Sequence, residues 1–151
     1  MCLVLIKNEP HVAEKPILVH KMLEDYFEGC VRKNYKNIKE TPFQSKRVVF
    51  KRGRTTLESD LFVQKHYGHD VIDIGIHSYQ LLSVANEKKK MLDPFDVWGC
   101  EIYYAVIPKG STYYLGEYCE VASDKLIIFQ TKEDFEKSQY AKDYDKFAEI
   151  D

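Results

Sequence analysis

Short runs of apolar residues, many of them β-branched, divide the chain into segments typical of strands. Such runs occur at residues 2–6, 17–23, 47–52, 112–115 and 125–129, and polar or turn-forming residues bound them. Residues 101–107 are apolar or aromatic on both faces, which predicts a central strand. Residues 34–41 are polar and basic and predict a loop, while residues 57–67 fit either a strand or an irregular segment.

Two segments have the patterning of helices. Residues 81–92 combine an apolar stripe with a face of three consecutive lysines, and Pro94 ends the pattern. Thr131 is a good N-cap for a closing helix, because Glu133 and Asp134 fall in its first turn. The aromatic residues that would form the buried face of this closing helix are Phe135, Tyr140, Tyr144 and Phe147.

The order of these elements predicts the fold class. Strands, one helix, strands and one helix follow each other without regular strand–helix alternation. This order predicts an α+β fold built on a mostly antiparallel, curved sheet, with one internal helix and one C-terminal helix. The chain has 151 residues without a repeat or a Gly/Ser linker, so residues 1–151 are expected to form a single domain.

Length and cysteine content indicate a cytoplasmic protein. No apolar run approaches the ~20 residues that span a bilayer, and the apolar start at residues 1–6 is shorter than a signal-peptide core and lacks a basic lead. The cysteines are scattered without a CxxC pair, so free thiols are expected rather than a zinc site or a redox pair. The sequence therefore predicts no membrane contact, no metal and no cofactor. The four cysteines are Cys2, Cys30, Cys100 and Cys119.

The net charge of −2 hides a basic band between Arg32 and Arg54. This band holds nine basic residues and one acid, Glu40, whereas residues 132–151 hold four lysines and seven acids. Such a band attracts polyanions or phosphorylated ligands, and its arginines can grip phosphate with a bidentate fork. The alternative is a solvated or internally paired surface that the acidic tail neutralises. The isoelectric point near 6.2 argues against generic nucleic-acid binding, for which values above about 9 are typical.

His77 is the main candidate for chemistry, because it follows an apolar run two positions after Gly75. It could donate to a phosphate or act as an acid or base; the alternative is a helix cap or a hydrogen bond to a loop carbonyl. We hypothesise that the arginines fold back to share a concave wall with this imidazole. The predicted ligand-binding residues are Arg47, Lys51, Arg52, Arg54, His77, Ser78 and Lys109.

Other histidines and the tyrosines favour structural roles. His20 lies between Leu18 and Met22 on one strand face, as a core histidine would. His66 and His69 have a spacing that could chelate a metal on a helix, but no third ligand is obvious. The tyrosines at 103, 104, 113, 114 and 118 predict cross-strand packing more than base stacking.

Four segments carry a resemblance: Pro16-Ile17-Leu18-Val19-His20-Lys21, Gly75-Ile76-His77-Ser78-Tyr79, Ala105-Val106-Ile107-Pro108-Lys109-Gly110-Ser111-Thr112-Tyr113-Tyr114 and Ser123-Asp124-Lys125-Leu126-Ile127-Ile128. In these segments the chain resembles a group of small phage and bacterial proteins to which no settled activity is attached. Ile76 stands where the group tends to have phenylalanine, and His20 stands where a tyrosine is more usual. The resemblance implies that the protein belongs to a phage or another mobile element, and it implies no particular activity.

Three functions are compatible with these patterns. The first is a binding protein for an anionic, nucleotide-like small molecule or for a host factor. The second is a nucleotide-acting enzyme that uses His77 or an ADP-ribosyltransferase-like site. The third is a protein–protein interaction module whose tyrosines form the contact surface. The sequence also leaves open whether the protein forms a homo-oligomer. Binding is favoured over catalysis, because the sequence contains no complete catalytic motif.

Overall fold

The structure is a computed structural model that describes residues 3–42 and 46–148. These residues form fifteen strands and two α-helices. The helices are α1 (Leu82–Leu92) and α2 (Lys132–Glu136). The strands are β1 (Leu3–Val4), β2 (His11–Val12), β3 (Ile17–Glu28), β4 (Val31–Lys33), β5 (Ile38–Glu40), β6 (Arg47–Val49), β7 (Arg54–Glu58), β8 (Phe62–His66), β9 (His69–Ile74), β10 (Ile76–Tyr79), β11 (Glu101–Ile107), β12 (Thr112–Leu115), β13 (Glu120–Ser123), β14 (Lys125–Phe129) and β15 (Asp145–Lys146).

One twelve-stranded sheet carries most of the fold. Its main path runs β2-β12-β13-β10-β3-β11-β14-β7, and β4, β5, β6 and β15 attach beside this path. The long strand β3 pairs with β11 from Ile17↔Ile107 to Leu23↔Glu101. The short β15 runs parallel to β3, and the pairs along the main path are antiparallel. The predicted α+β class, with its curved antiparallel sheet and two helices, is confirmed.

The sheet curls around one apolar interior. Leu57 on β7 and Val121 on β13 belong to the same buried cluster, although four strands separate them along the sheet. The curl brings these distant strands face to face, which makes the sheet a half-barrel. On β3 the inner face carries Val19 and Leu23. Lys21 lies between these two residues and belongs to the same face, because side chains alternate along a strand.

Helix α1 covers one part of the outer face. Its buried residue Ala85 packs in a cluster with Met22 and Tyr79. The helix ends at Leu92, and the Asp93 carboxylate then accepts hydrogen bonds from three backbone N–H groups of the following loop. The predicted internal helix is therefore present with nearly the predicted bounds.

Helix α2 is shorter than the predicted closing helix. Thr131 caps it through a capping box with Asp134, as the sequence indicates, but the helix ends at Glu136. The aromatic residues beyond it divide between the two faces of the sheet. Tyr140 and Tyr144 pack on the outer face, whereas Phe147 packs against the inner cluster. A single continuous helix could not place aromatic side chains on both faces of the sheet.

The predicted loop at residues 34–41 contains a strand, so this prediction was wrong. β5 pairs with β3 and β6, and its residues Lys39 and Glu40 are buried. An ion pair with Asp25 compensates the charge of Lys39. Because charged side chains occupy its buried positions, this strand lacks the apolar pattern by which strands are recognised. Residues 57–67, which the sequence left open, supply the end of β7 and all of β8.

A separate three-stranded sheet has the order β1-β9-β8. His66 and His69 are cross-strand partners at the tip of the β8–β9 hairpin, rather than neighbours on a helix. Within the described residues, no group of three potential ligands could hold a metal ion. Neither of the two described helices has the length and apolar character needed to cross a membrane.

Candidate anion-binding site

A tight turn between β6 and β7 presents the end of the basic band. Lys51 and Arg54 pair across this turn through two backbone hydrogen bonds of 3.0 and 3.2 Å. The two residues between them are left-handed, with φ of 53° at Arg52 and 82° at Gly53. A positive φ at both central positions defines a type I′ turn. An arginine in this region is strained, because its Cβ crowds the backbone where glycine or asparagine fits more easily.

The turn packs against the beginning of α2. The backbone N–H of Gln130 donates to the carbonyl of Gly53 at 2.8 Å. A Cβ at Gly53 would lie only 2.5 Å from a carboxylate oxygen of Asp134. The position therefore requires glycine both for its φ and for this close approach. The contact fixes the basic turn against an element from the other end of the chain.

The turn and α2 together form a hollow of about 310 Å³, which we call the basic hollow. Four cationic side chains and one carboxylate line it. The carboxylate of Asp134 accepts hydrogen bonds from the backbone N–H and the hydroxyl of Thr131, so it is engaged in the helix cap. The residues that line the basic hollow are Lys51, Arg52, Gly53, Arg54, Phe129, Asp134, Lys137 and Ser138.

Much of the basic band has partners within the protein. Arg32 and Lys39 both form ion pairs with Asp25, at 2.6 and 2.7 Å. Lys33 lies 3.6 Å from a carboxylate oxygen of Glu28. In addition, Lys46 donates to the carbonyl of Glu58, and the Arg47 guanidinium lies over the ring of Tyr26. For these residues, the structure favours the internally paired alternative over ligand binding.

The end of the band differs from these five residues. Within residues 3–42 and 46–148, the side chains of Lys51, Arg52 and Arg54 form no ion pair and no hydrogen bond. All three are exposed and line the same hollow. The fourth cation, Lys137, forms a 2.6 Å ion pair with Glu133. Three cations without an ion pair among the described residues thus meet at one place on the surface, beside the Asp134 carboxylate.

His77 lies away from the basic hollow. β10, which carries His77, is separated from β7 by β3, β11 and β14 in the sheet. Burial, followed by the charge of Lys21, lowers the pKa of His77 to about 4. The imidazole is therefore neutral near pH 7 and does not add a positive charge to any site. Its Nε2 is buried without a hydrogen-bond partner among the described residues.

The other predicted site residues are also dispersed. Ser78 follows His77 on β10, is 1% exposed and belongs to the inner face beside Ile76. Lys109 is exposed on the turn between β11 and β12. Arg47 stacks on Tyr26, as described above. The structure thus brings together Lys51, Arg52 and Arg54, and it does not bring Arg47, His77, Ser78 or Lys109 to them.

Two lysines of interest were missed by the sequence analysis. Lys137 lies in the acidic tail, and no local signal shows that it joins the basic turn. Lys21 is 7% exposed and alternates with Val19 and Leu23 on the inner face of β3. That alternation is visible in the sequence and predicts a lysine directed into an apolar interior. Burial lowers the pKa of Lys21 to about 8.

Comparison of the chain with protein-family models, with curated proteins and with solved structures gives no match. The chemistry of the basic hollow is therefore read from its own residues. Arginine and lysine donate hydrogen bonds and carry positive charge without accepting, so the hollow suits an oxyanion. The Ser138 hydroxyl that lines it donates to the Phe135 carbonyl at 2.6 Å. The hollow thus offers charge and donors, with its described hydroxyl and carboxylate already engaged.

Proposed function

We propose that this protein is an intracellular binding protein for a small phosphate-bearing ligand of the nucleotide class, held at the basic hollow. The observation that carries the proposal is the meeting of Lys51, Arg52 and Arg54, all without described partners, in one concave surface. Salt screens the attraction between exposed cations and a distant anion. Once a phosphate group is in the hollow, however, several donors can form charge-assisted hydrogen bonds with it at short range.

The size of the hollow supports a small ligand rather than a polymer. Sites for small molecules have volumes of roughly 300–1,000 Å³, and the volume here is about 310 Å³. Two arginines, Arg52 and Arg54, can each grip two phosphate oxygens, while lysine acts as a point charge. This set suits one or two phosphate groups with part of the ligand remaining in solvent.

Binding without turnover is supported by the hydrogen bonds that the Asp134 carboxylate and the Ser138 hydroxyl already make within the protein. Asp134 is engaged by Thr131 in the helix cap, and Ser138 by the carbonyl of Phe135. Neither group is poised as a nucleophile or a base, because a general base must reach a proton of the substrate. The imidazole of His77, which was the candidate for acid–base chemistry, lies on a strand well separated from this hollow.

A thermal-shift and calorimetry panel tests the proposal. The probes are inorganic phosphate, AMP, ADP, ATP and NAD, with adenosine as the uncharged control. We expect the phosphate-bearing probes to raise Tm with concentration, as mass action requires, and adenosine to leave it unchanged. Mass spectrometry of the recovered ligand should show it intact. A flat response to every phosphate-bearing probe would contradict the proposal.

Paired variants locate the site. Arg54→Gln removes a cation of the basic hollow, and we expect it to weaken binding roughly tenfold or more. Arg47→Gln removes an arginine that is only seven positions away but is engaged by Tyr26, and we expect a change of about twofold at most. Equal losses in the two variants would show that general charge, rather than the hollow, governs binding.

One observation favours a second candidate, a module that associates through an apolar loop. The last turn of α1 exposes Met91, and the segment after the helix exposes Phe95, Val97 and Trp98, with Phe95 87% exposed. Contiguous exposed apolar side chains often mark interaction sites. Self-association is the form of this candidate that the pure chain can test. Sedimentation velocity should then show concentration-dependent association that Phe95→Ser abolishes, and a monomer at all concentrations would exclude it.

A further inference from the structure

A second cavity lies at the inner face of the half-barrel and shares no lining residue with the basic hollow. Its volume is about 220 Å³, and it forms where the end of β7 approaches the junction of β9 and β10 across the interior. Its apolar side consists of Leu57, Ile74 and Ile76. Its polar side consists of Lys21, Thr41, Lys46 and Ser59. We call it the interior cavity.

Lys21 gives this cavity a buried cation. The side chain is 7% exposed, and its Nζ donates to the backbone carbonyl of His77 at 2.7 Å. An ammonium group has three N–H donors, and this carbonyl is its only partner among residues 3–42 and 46–148. A carbonyl carries no net charge. The positive charge of Lys21 is therefore buried without a carboxylate in the described part of the chain, a costly arrangement.

Two buried serine hydroxyls of the inner face also lack a partner among the described residues. Ser78 and Ser123 are 1% and 0% exposed, and their hydroxyls have no described partner. Ser78 is two residues from Ile76 on the same strand face, and Ser123 is the cross-strand partner of Ile76. In contrast, the Thr41 hydroxyl accepts from the backbone N–H of Lys46. Hydroxyls both donate and accept, so it is the Lys21 ammonium, with three donors and one described acceptor, that favours a ligand with acceptor oxygens on the polar side of the cavity.

The groups that face Lys21 come from several elements. On β11 its direct cross-strand partner is Tyr103, whose phenol has a pKa raised by burial. On β10 the imidazole of His77 is neutral near pH 7, and across the cavity Lys46 adds a second cation. No carboxylate lines the interior cavity among the described residues. With a pKa of about 8, Lys21 is mostly protonated at pH 7 and attracts an anion.

We propose that the interior cavity binds a small monocarboxylate with an apolar body, whose carboxylate pairs with Lys21 and whose body packs on Leu57, Ile74 and Ile76. An apolar cavity of roughly 150 Å³ can hold benzene, so about 220 Å³ accommodates a ring or a short chain with a carboxylate. A single negative charge balances a single buried ammonium. The multiply charged phosphates expected at the basic hollow suit this largely apolar cavity less well, because desolvating them costs more.

Ligand-observed NMR and calorimetry with simple acids test this inference. The probes are acetate, butyrate, hexanoate and benzoate, each at up to about 10 mM, and benzamide serves as the uncharged isostere of benzoate. We expect at least benzoate or hexanoate to bind the native chain, and benzamide to bind roughly thirtyfold more weakly or not at all. No binding of any of the four acids, or equal binding of benzoate and benzamide, would overturn the proposal. This comparison needs no variant.

Two variants assign the binding to Lys21. Lys21→Met retains the length of the side chain and removes the charge, and we expect it to weaken carboxylate binding roughly thirtyfold or more. Lys142→Met removes an exposed lysine of the C-terminal segment and should leave the affinity unchanged. Equal affinities of Lys21→Met and the native chain would refute the role of Lys21. Carboxylates can also pair with arginine, so Arg54→Gln serves as a second control: it should leave carboxylate affinity unchanged while it weakens phosphate binding, and the two proposals can then fail independently.

Discussion

Two lysines of this protein are equally buried but have different partners. Lys39 and Lys21 are each 7% exposed. The Nζ of Lys39 lies 2.7 Å from a carboxylate oxygen of Asp25, and the Nζ of Lys21 lies 2.7 Å from the carbonyl oxygen of His77. A carboxylate carries a full negative charge, whereas a carbonyl offers only a dipole. The charge of Lys39 is therefore compensated within the fold, and the charge of Lys21 is not.

The surroundings of the two lysines differ in the same way. Asp25 is 2% exposed and also receives Arg32, whose Nε lies 2.6 Å from it. Gly99 packs so closely on the Asp25 carboxylate that a Cβ at this position would collide with it. Lys21, in contrast, lines the interior cavity. One region uses its cations for folding, and the other leaves a cation available to a ligand.

A cation without a partner in the protein, rather than a dense run of cations, therefore marks a candidate site. The basic band illustrates the same rule at the surface. Arg32 and Lys39 belong to the basic band, yet both form ion pairs with Asp25. Arg52 and Arg54, in the same band, have no described partner. Substitutions that remove one charge should therefore have opposite effects on stability in the two kinds of region.

The largest effect is expected from Asp25→Asn. This change keeps the size of the side chain but removes the charge that compensates buried Lys39 and also Arg32. Removing one partner of a buried ion pair costs about 3–5 kcal/mol, because the other charge stays buried and uncompensated. Urea denaturation of the variant and the native chain measures the loss.

An exposed ion pair provides the control for this substitution. Glu28→Gln breaks the contact of Glu28 with Lys33, which lies near the surface at 3.6 Å. We expect a change of less than about 0.5 kcal/mol, as for other exposed pairs. A loss below about 1 kcal/mol for Asp25→Asn would mean that the buried cluster contributes little, and the contrast with Lys21 would lose its basis.

The next effect has the opposite sign and comes from Lys21→Met. Burial lowers the pKa of Lys21 from 10.5 to about 8, which corresponds to a destabilisation of about 3 kcal/mol below pH 8. The variant removes this penalty but leaves the His77 carbonyl without its donor, which costs about 1–3 kcal/mol. We expect a net gain of about 1 kcal/mol at pH 7, measured as the free energy of unfolding without ligand.

The pH dependence of that gain identifies its cause. Because the folded pKa lies below the unfolded value, the unfolded chain binds more protons between about pH 8 and 10.5. The stability contributed by Lys21 therefore rises with pH through this window. The advantage of Lys21→Met should shrink from pH 7 to pH 10. A variant that is less stable than the native chain at every pH would show that Lys21 serves the fold, as Lys39 does.

Local patterns predicted much of the fold. The apolar and aromatic residues on both faces of 101–107 predicted the central strand β11, and the capping pattern at Thr131 predicted the start of α2. The end of α2 could not be predicted, because Phe147 packs on the inner cluster rather than on the helix face. β5 was missed for a similar reason, since Lys39 finds its partner Asp25 on another strand. Such contacts are set by tertiary structure, which local periodicity does not contain.

The candidate sites were predicted less completely than the fold. The basic band identified Lys51, Arg52 and Arg54, but residue spacing alone could not distinguish them from Arg32 or Arg47, which have partners in the structure. The expected neighbour of the arginines, His77, lies on β10, which three strands separate from β7. The curl of the sheet decides which side chains meet, and one sequence gives only the order of its elements.

The smallest effect on stability is expected from Arg52→Asn, and it separates folding from binding within one residue. Arg52 has a φ of 53° in the type I′ turn, a conformation that asparagine tolerates better than arginine. We expect the free energy of unfolding to rise by about 0.5 kcal/mol. Phosphate-ligand affinity should fall, because the guanidinium is lost. Arg54→Gln is the matched control, since Arg54 lies in extended β7 and its loss should reduce affinity without stabilising the fold. A marked destabilisation by Arg52→Asn would instead indicate that the Arg52 side chain has a partner within the protein. Arg52 would then resemble Arg32 and Lys39, whose charges stabilise the fold.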